Sequence, residues 1–125
     1  MQPGTRMPAF VMTSGRALLA AKTDAEVLAL LRRMERKPFT RQTRTSLEAL
    51  MEAIRKVRET GFAAIKEELE VGLLSLAVPI ENRRGETVAA LTVSSNTARA
   101  TLTELCAAAL PVMRKIALEV GAILP

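Results

Sequence analysis

The sequence contains no histidine, no tyrosine and no tryptophan, and only three Phe and one Cys among 125 residues. Each absence excludes something. Without histidine the commonest general base and the commonest metal ligand are missing. No Ser–His or Cys–His pair is available to build an activated nucleophile. Cys106 stands alone, so no internal disulfide can form, and a single thiol in an apolar stretch fits a reducing compartment. With no histidine to activate it, Cys106 reads as a small buried hydrophobe. Three Phe cannot build a base-stacking platform for nucleic acid. Zinc-ligand spacing, a Walker loop and a dinucleotide-binding fingerprint are also missing. Neither metal nor cofactor is expected, and the chain does not read as an enzyme. No apolar run approaches the ~20 residues of a membrane span. The short apolar start from Met7 to Met12, behind Arg6, is broken by Thr13, Ser14, Gly15 and Arg16 and is too short for a signal peptide. A cytoplasmic protein with no membrane partner is the expectation.

What is present suits one domain. The chain is 49% hydrophobic and 25% charged, so it can bury a core, and that core must be aliphatic. The net charge of +5 comes from scattered arginines and reads as a solvated basic surface. Met1 to Arg6 reads as an extended lead-in. Thr13, Ser14 and Gly15 look like a helix start with Arg16 to Ala21 as its body. Thr23 and Glu26 form a capping box ahead of Val27, Leu28, Leu31 and Met34 at helical spacing. The basic stretch from Glu35 to Arg44, with Pro38, reads as a loop. Thr45 and Glu48 suggest a second capping box, followed by the one-sided stripe Leu47, Leu50, Met51, Ile54 and Val57, and Gly61 is placed to end that helix. These first two helices are too apolar on their inward face for a DNA-reading pair, and are expected to lie antiparallel on a core.

The period then changes. Phe62 to Ile65 reads as a short strand. Leu73 to Ile80 and Thr87 to Ser95 read as a hairpin around the turn Asn82 to Gly85. In the second hairpin strand Ala89, Leu91 and Val93 share an apolar face that should pack on helices, while Val88, Ala90, Thr92 and Ser94 share the other. A third capping box, Thr101 with Glu104, opens a long final helix that Pro111 should bend. The order predicts α+β, an antiparallel sheet with helices segregated to a face and a long C-terminal helix.

Two polar groups invite a functional reading. Glu67, Glu68 and Glu70 have too few convergent oxygens for a hard cation and read as a solvated loop. Thr92 and Ser94 lie two apart on one strand, and Ser75 on the partner strand is placed to join them. Three hydroxyls on one sheet face can orient a small carboxylate or hydroxylated ligand, or simply pair with one another.

Three stretches together resemble the effector-binding domain of the IclR family of bacterial regulators. PAFVMTSGRALLA, Pro8 to Ala20, is similar to the family's proline, several small residues and then G-[RK]-A-x-L-A. EELEVGLLSLAVPI, Glu67 to Ile80, is similar to E-E-x-x-x-G-x-x-S-[IL]-A-x-P-[IV]. GETVAALTVS, Gly85 to Ser94, is similar to G-x-[VP]-x-A-A-[LI]-x-[VI]-S. Within the family, LEVGLLSLAVPI most resembles regulators of protocatechuate and β-ketoadipate pathways. The resemblance implies a GAF- or profilin-like sensor domain that binds a small organic or aromatic acid. It implies a homodimer or homotetramer, with DNA bound only through a separate N-terminal winged helix-turn-helix. Effector-binding positions carried over from the family are Met7 and Ala9, Ser75, and Thr92 and Ser94, with Lys66, Glu67 and Glu68 as the flanking acidic stretch. Backbone N–H groups at Thr13, Ser14 and Gly15 are a further expected anion contact. The sequence departs from the pattern at Lys66, where an acidic residue is common. It also contains no helix-turn-helix and no strands before Pro8, so residues 1–125 are expected to be an N-terminally incomplete effector domain.

Overall fold

The computed structural model describes residues 8–125. Met7, expected at the effector site, lies outside the described residues. The described residues open with a 3-10 turn, Ala9–Val11, which the sequence pattern did not announce and which buries Phe10 and Val11. Helix α1 spans Thr13–Leu19, α2 Asp24–Arg33 and α3 Leu47–Thr60. Strands β1 Ala63–Lys66, β2 Leu73–Glu81 and β3 Thr87–Asn96 follow, and α4 Leu102–Gly121 ends the chain. The three strands form one antiparallel sheet in the order β1-β2-β3. The architecture is α+β, as expected.

Local chemistry explains the boundaries. Thr23 and Thr101 close their expected capping boxes with Glu26 and Glu104, satisfying N–H groups that a helix start leaves orphaned. The backbone N–H bonds from Thr23 and Thr101 hold Glu26 and Glu104 below the ordinary carboxylate value. The cap of α3 differs from expectation: Ser46, not Thr45, accepts from the N–H of Ala49. Gly61 ends α3 in the left-handed region at φ 82°, a conformation glycine adopts without a Cβ clash. Asn82 builds the hairpin turn, accepting from the N–H groups of Arg84 and Glu86, each at 2.9 Å, and donating to the carbonyl of Pro125 at 2.9 Å. Helix α4 runs through Pro111 without a break.

Two expectations about packing are corrected. Helices cover both sheet faces, not one. Leu76, Val78 and Ile80 of β2, with Ala89, Leu91 and Val93 of β3, pack on Leu110, Met113 and Ala117 of α4. On the opposite face, Ala63, Ala77 and Ala90 pack on Ala17 of α1 and Val57 of α3. The alternating strand pattern placed Leu, Val and Ile on one side and small residues on the other, and small residues let α1 approach closely. Nor are α1 and α2 a simple antiparallel pair. Leu19 of α1 and Val27 and Leu31 of α2 converge on Leu50, Met51 and Ile54 of α3, which is the common partner. Arg58 of α3 reinforces this by donating to Asp24 at the start of α2, and that bond holds the Asp24 carboxyl below its ordinary value.

The end of α4 meets the hairpin at Gly121. A Cβ there would fall well inside contact distance of the Glu81 carbonyl oxygen. Gly121→Ala should therefore lower stability by about 1–3 kcal/mol, the usual range for overpacking. It should appear as a lower urea midpoint with an unchanged slope. An unchanged midpoint would show that α4 does not rest on that carbonyl.

Candidate functional site

The period of two along β2 and β3 sets the site. Ser75 is the register partner of Ser94, Ala77 that of Thr92, and Ile65 of β1 lies opposite Ser75. The row Ile65–Ser75–Ser94 crosses the sheet on the α1 side. The start of α1 comes down onto it, with Thr13 Oγ1 2.8 Å from Ser75 Oγ. A cavity of about 70 Å³ forms between them. Its polar lining is Thr13, Ser75 and Ser94, and its apolar lining is Val11, Met12, Ile65, Leu69 and Leu73. The hydroxyl of Thr13 was not singled out from the sequence. Its signal was the first helical position of α1, which geometry alone turns toward β2.

The remaining expected residues are placed differently. Thr92, exposed like Ser94, lies one row further along β3 and unlike Ser94 does not line this cavity. Ala9 and Ser14 sit half-buried in the 3-10 turn and the first turn of α1, outside the lining. Gly15 is buried for a packing reason: a Cβ there would strike the backbone of Ala9. Among the described residues no side chain caps α1, because Met12 stands at its N-cap. Glu67 does not line the cavity. It adopts a left-handed φ of 55°, and its Oε1 accepts from the N–H of Gly72 at 3.1 Å.

Glu68 corrects the reading of this stretch as a solvated loop. Its side chain is 6% exposed and that of Arg16 is 3% exposed. Arg16 donates through Nη1 to Glu68 Oε2 at 3.0 Å and through Nη2 to Oε1 at 2.7 Å. Arg16 Nε donates to the carbonyl of Phe10 at 2.8 Å, and Glu68 Oε1 accepts from the N–H of Arg44 at 2.9 Å. Two parallel N–H···O bonds between a planar guanidinium and a carboxylate are the strong form of ion pair. This pair joins α1, the 3-10 turn and the β1–β2 connection, which are the elements that wall the cavity. Glu68 is thus a positioning group and not a cation ligand.

Comparisons with known proteins establish the family. The family model described as bacterial transcriptional regulator IclR C-terminal matches residues 1–122. The chain belongs to the IclR family. It is 40% identical over 110 residues to the Pca regulon regulatory protein of Pseudomonas putida, a match covering 88% of this chain and 38% of that protein. It is 37% identical over 121 residues to the transcriptional regulator KdgR of Escherichia coli, covering 94% of this chain and 46% of that one. The chain therefore spans less than half the length of these relatives. Among solved structures it is similar to the inducer-binding domain of the PobR transcription factor from Acinetobacter, a double mutant in complex with 3-hydroxybenzoic acid. The TM-score there is 0.91 at 30% identity, over 97% of this chain and 69% of that one. The C-terminal domain of Escherichia coli KdgR gives 0.86 at 34% identity, over 94% and 71%. This IclR-family domain has regulators, not enzymes, as its relatives, and the resemblance to aromatic-pathway regulators matches the relatives found.

Removing one partner of a buried ion pair leaves the other charge uncompensated, which typically costs about 3–5 kcal/mol, whereas an apolar replacement of both is far milder. Glu68→Gln should therefore be strongly destabilising. Arg16→Met with Glu68→Leu should recover most of the loss in a urea-denaturation cycle. Additive losses in the double variant would show that the two side chains act separately.

Proposed function

We propose that this domain senses a small organic acid, aromatic acids foremost, seated on the hydroxyls of Thr13, Ser75 and Ser94. The carrying observation is the convergence of these hydroxyls, from α1, β2 and β3, on one cavity with apolar walls. Hydroxyls orient a carboxylate or phenol, and apolar side chains are the surface that an aromatic ring packs on. The inducer-binding domain that holds 3-hydroxybenzoic acid shares this fold. In the longer regulator the domain works in the cytoplasm as part of a homodimer or homotetramer. DNA is bound by a winged helix-turn-helix domain outside this chain, and the acid changes its affinity for the operator.

The cavity is smaller than a ring-sized ligand requires. Ligand pockets usually span about 300–1,000 Å³, against about 70 Å³ here. The acid must therefore favour an arrangement in which the wall formed by the 3-10 turn and α1 stands further from β2. That requirement is the source of coupling, because a ligand shifts a population only by binding one arrangement better than the other. The same small volume supports a second reading, in which the domain only assembles subunits and takes no ligand.

A thermal-shift series with 3-hydroxybenzoate, 4-hydroxybenzoate, protocatechuate and β-ketoadipate separates the two. A ligand at about a hundred times its Kd adds ~2.7 kcal/mol to stability. A rise in Tm with one acid, lost in Ser75→Ala and in Ser94→Ala, is the expected result. A flat series across all four acids would favour the assembly reading.

A further inference from the structure

A second and larger cleft lies beyond the Arg16–Glu68 pair, on the outer side of β1. Its volume is about 510 Å³, within the usual range for small-molecule sites. It is bounded by α3, β1, the first turn of α4 and the segment before α3. Its ionisable lining is one-sided. Arg16, Arg44, Lys56 and Lys66 face a single carboxylate, Glu68. That carboxylate is already committed to the Arg16 guanidinium and the Arg44 N–H, and its Oε2 also lies 3.8 Å from Arg44 Nε, so Arg44 is itself partly paired. Among the described residues neither Lys56 nor Lys66 takes part in a salt bridge. The three cations Arg44, Lys56 and Lys66 come from three different elements, so their convergence is a property of the fold and not of one charged run. Phe62 and Leu102 form an apolar part of the wall.

We propose that this cleft binds a compact, multiply charged oxyanion, such as a di- or tricarboxylate or a phosphate ester. The ammonium groups of Lys56 and Lys66 act as point charges for such oxygens. An apolar wall strengthens each of these attractions relative to open water. Bound there, the anion sits on the far side of Arg16 and Glu68 from the Thr13–Ser75 cavity. It gives the domain a second input, separate from the aromatic acid proposed above.

Cys106 lines the same cleft and is the only cysteine in the chain, so its alkylation reports on this site alone. The test measures the rate of reaction of Cys106 with N-ethylmaleimide, with and without citrate or pyrophosphate, at ionic strength matched with NaCl. If the occupied cleft shields the thiol, the rate falls about tenfold when the anion is present at about ten times its Kd. Lys56→Gln with Lys66→Gln should abolish that protection. Arg32→Gln with Arg33→Gln, which removes the same charge from exposed positions on α2, should not. Protection by one anion and not the other distinguishes carboxylate from phosphate as the natural chemistry. Equal slowing by NaCl alone, no slowing by either anion, or protection that survives in the double lysine variant overturns the proposal.

Discussion

The bidentate bond between Arg16 and Glu68 is the constraint on which the rest of the site depends. Both side chains lie almost wholly out of water. Their charges could not remain there unless each hydrogen-bonding group found a partner. The guanidinium answers with three bonds, two to Glu68 and one to the carbonyl of Phe10. Glu68 answers with a further bond from the Arg44 backbone. Four segments, of which only the 3-10 turn and α1 are neighbours in sequence, are thereby held at one point: the 3-10 turn, α1, the segment before α3 and the β1–β2 connection. The pair does not supply the bulk of folding stability. That comes from the two aliphatic layers, on α3 and on α4. What the pair supplies is the position of the α1 start relative to β2, and so the distance between Thr13 and Ser75.

That position has consequences for regulation. The sheet side of the cavity is firm, since β2 is the central strand and pairs on both edges. The opposite wall is a short helix preceded by a 3-10 turn, held by packing of Phe10, Val11, Ala17 and Leu19 and by the Arg16 bonds. A ligand seated between these walls shifts their arrangement only so far as it binds one arrangement better than the other. On the far side of the same ion pair lies the cationic cleft, so the two sites share a wall. An occupant of either bears on the same α1 arrangement, and linkage requires any coupling between them to be reciprocal.

Much of this was legible in the sequence. The capping boxes at Thr23 and Thr101, the stop at Gly61 and the hairpin at Asn82 to Gly85 follow from local chemistry, because each feature satisfies its own backbone groups. The hydroxyl row was legible because strand side chains alternate, so Thr92 and Ser94 share a face once the strand is recognised. What escaped was long-range. Arg16 and Glu68 are 52 residues apart, and each looks ordinary in its own neighbourhood, a basic residue in a short helix and one glutamate among several. The close approach of Gly15 to Ala9, which leaves no room for a Cβ, is likewise visible only in the packed structure. Cys106 read as a buried hydrophobe. It is half-buried at a cleft whose other walls come from distant elements, and partial burial pushes its thiol up from the ordinary value.

The central claim is that a small acid seats between the α1 start and the Ser75–Ser94 row. The most direct measurement is a titration of the ¹⁵N-labelled domain with 3-hydroxybenzoate, followed residue by residue through backbone amide shifts. The account predicts the largest changes at Thr13, Ser75, Ser94 and their immediate neighbours, with smaller ones propagating along α1 to Arg16. Changes confined to the cleft around Lys56, Lys66 and Cys106, or spread over the surface without a focus, would contradict it.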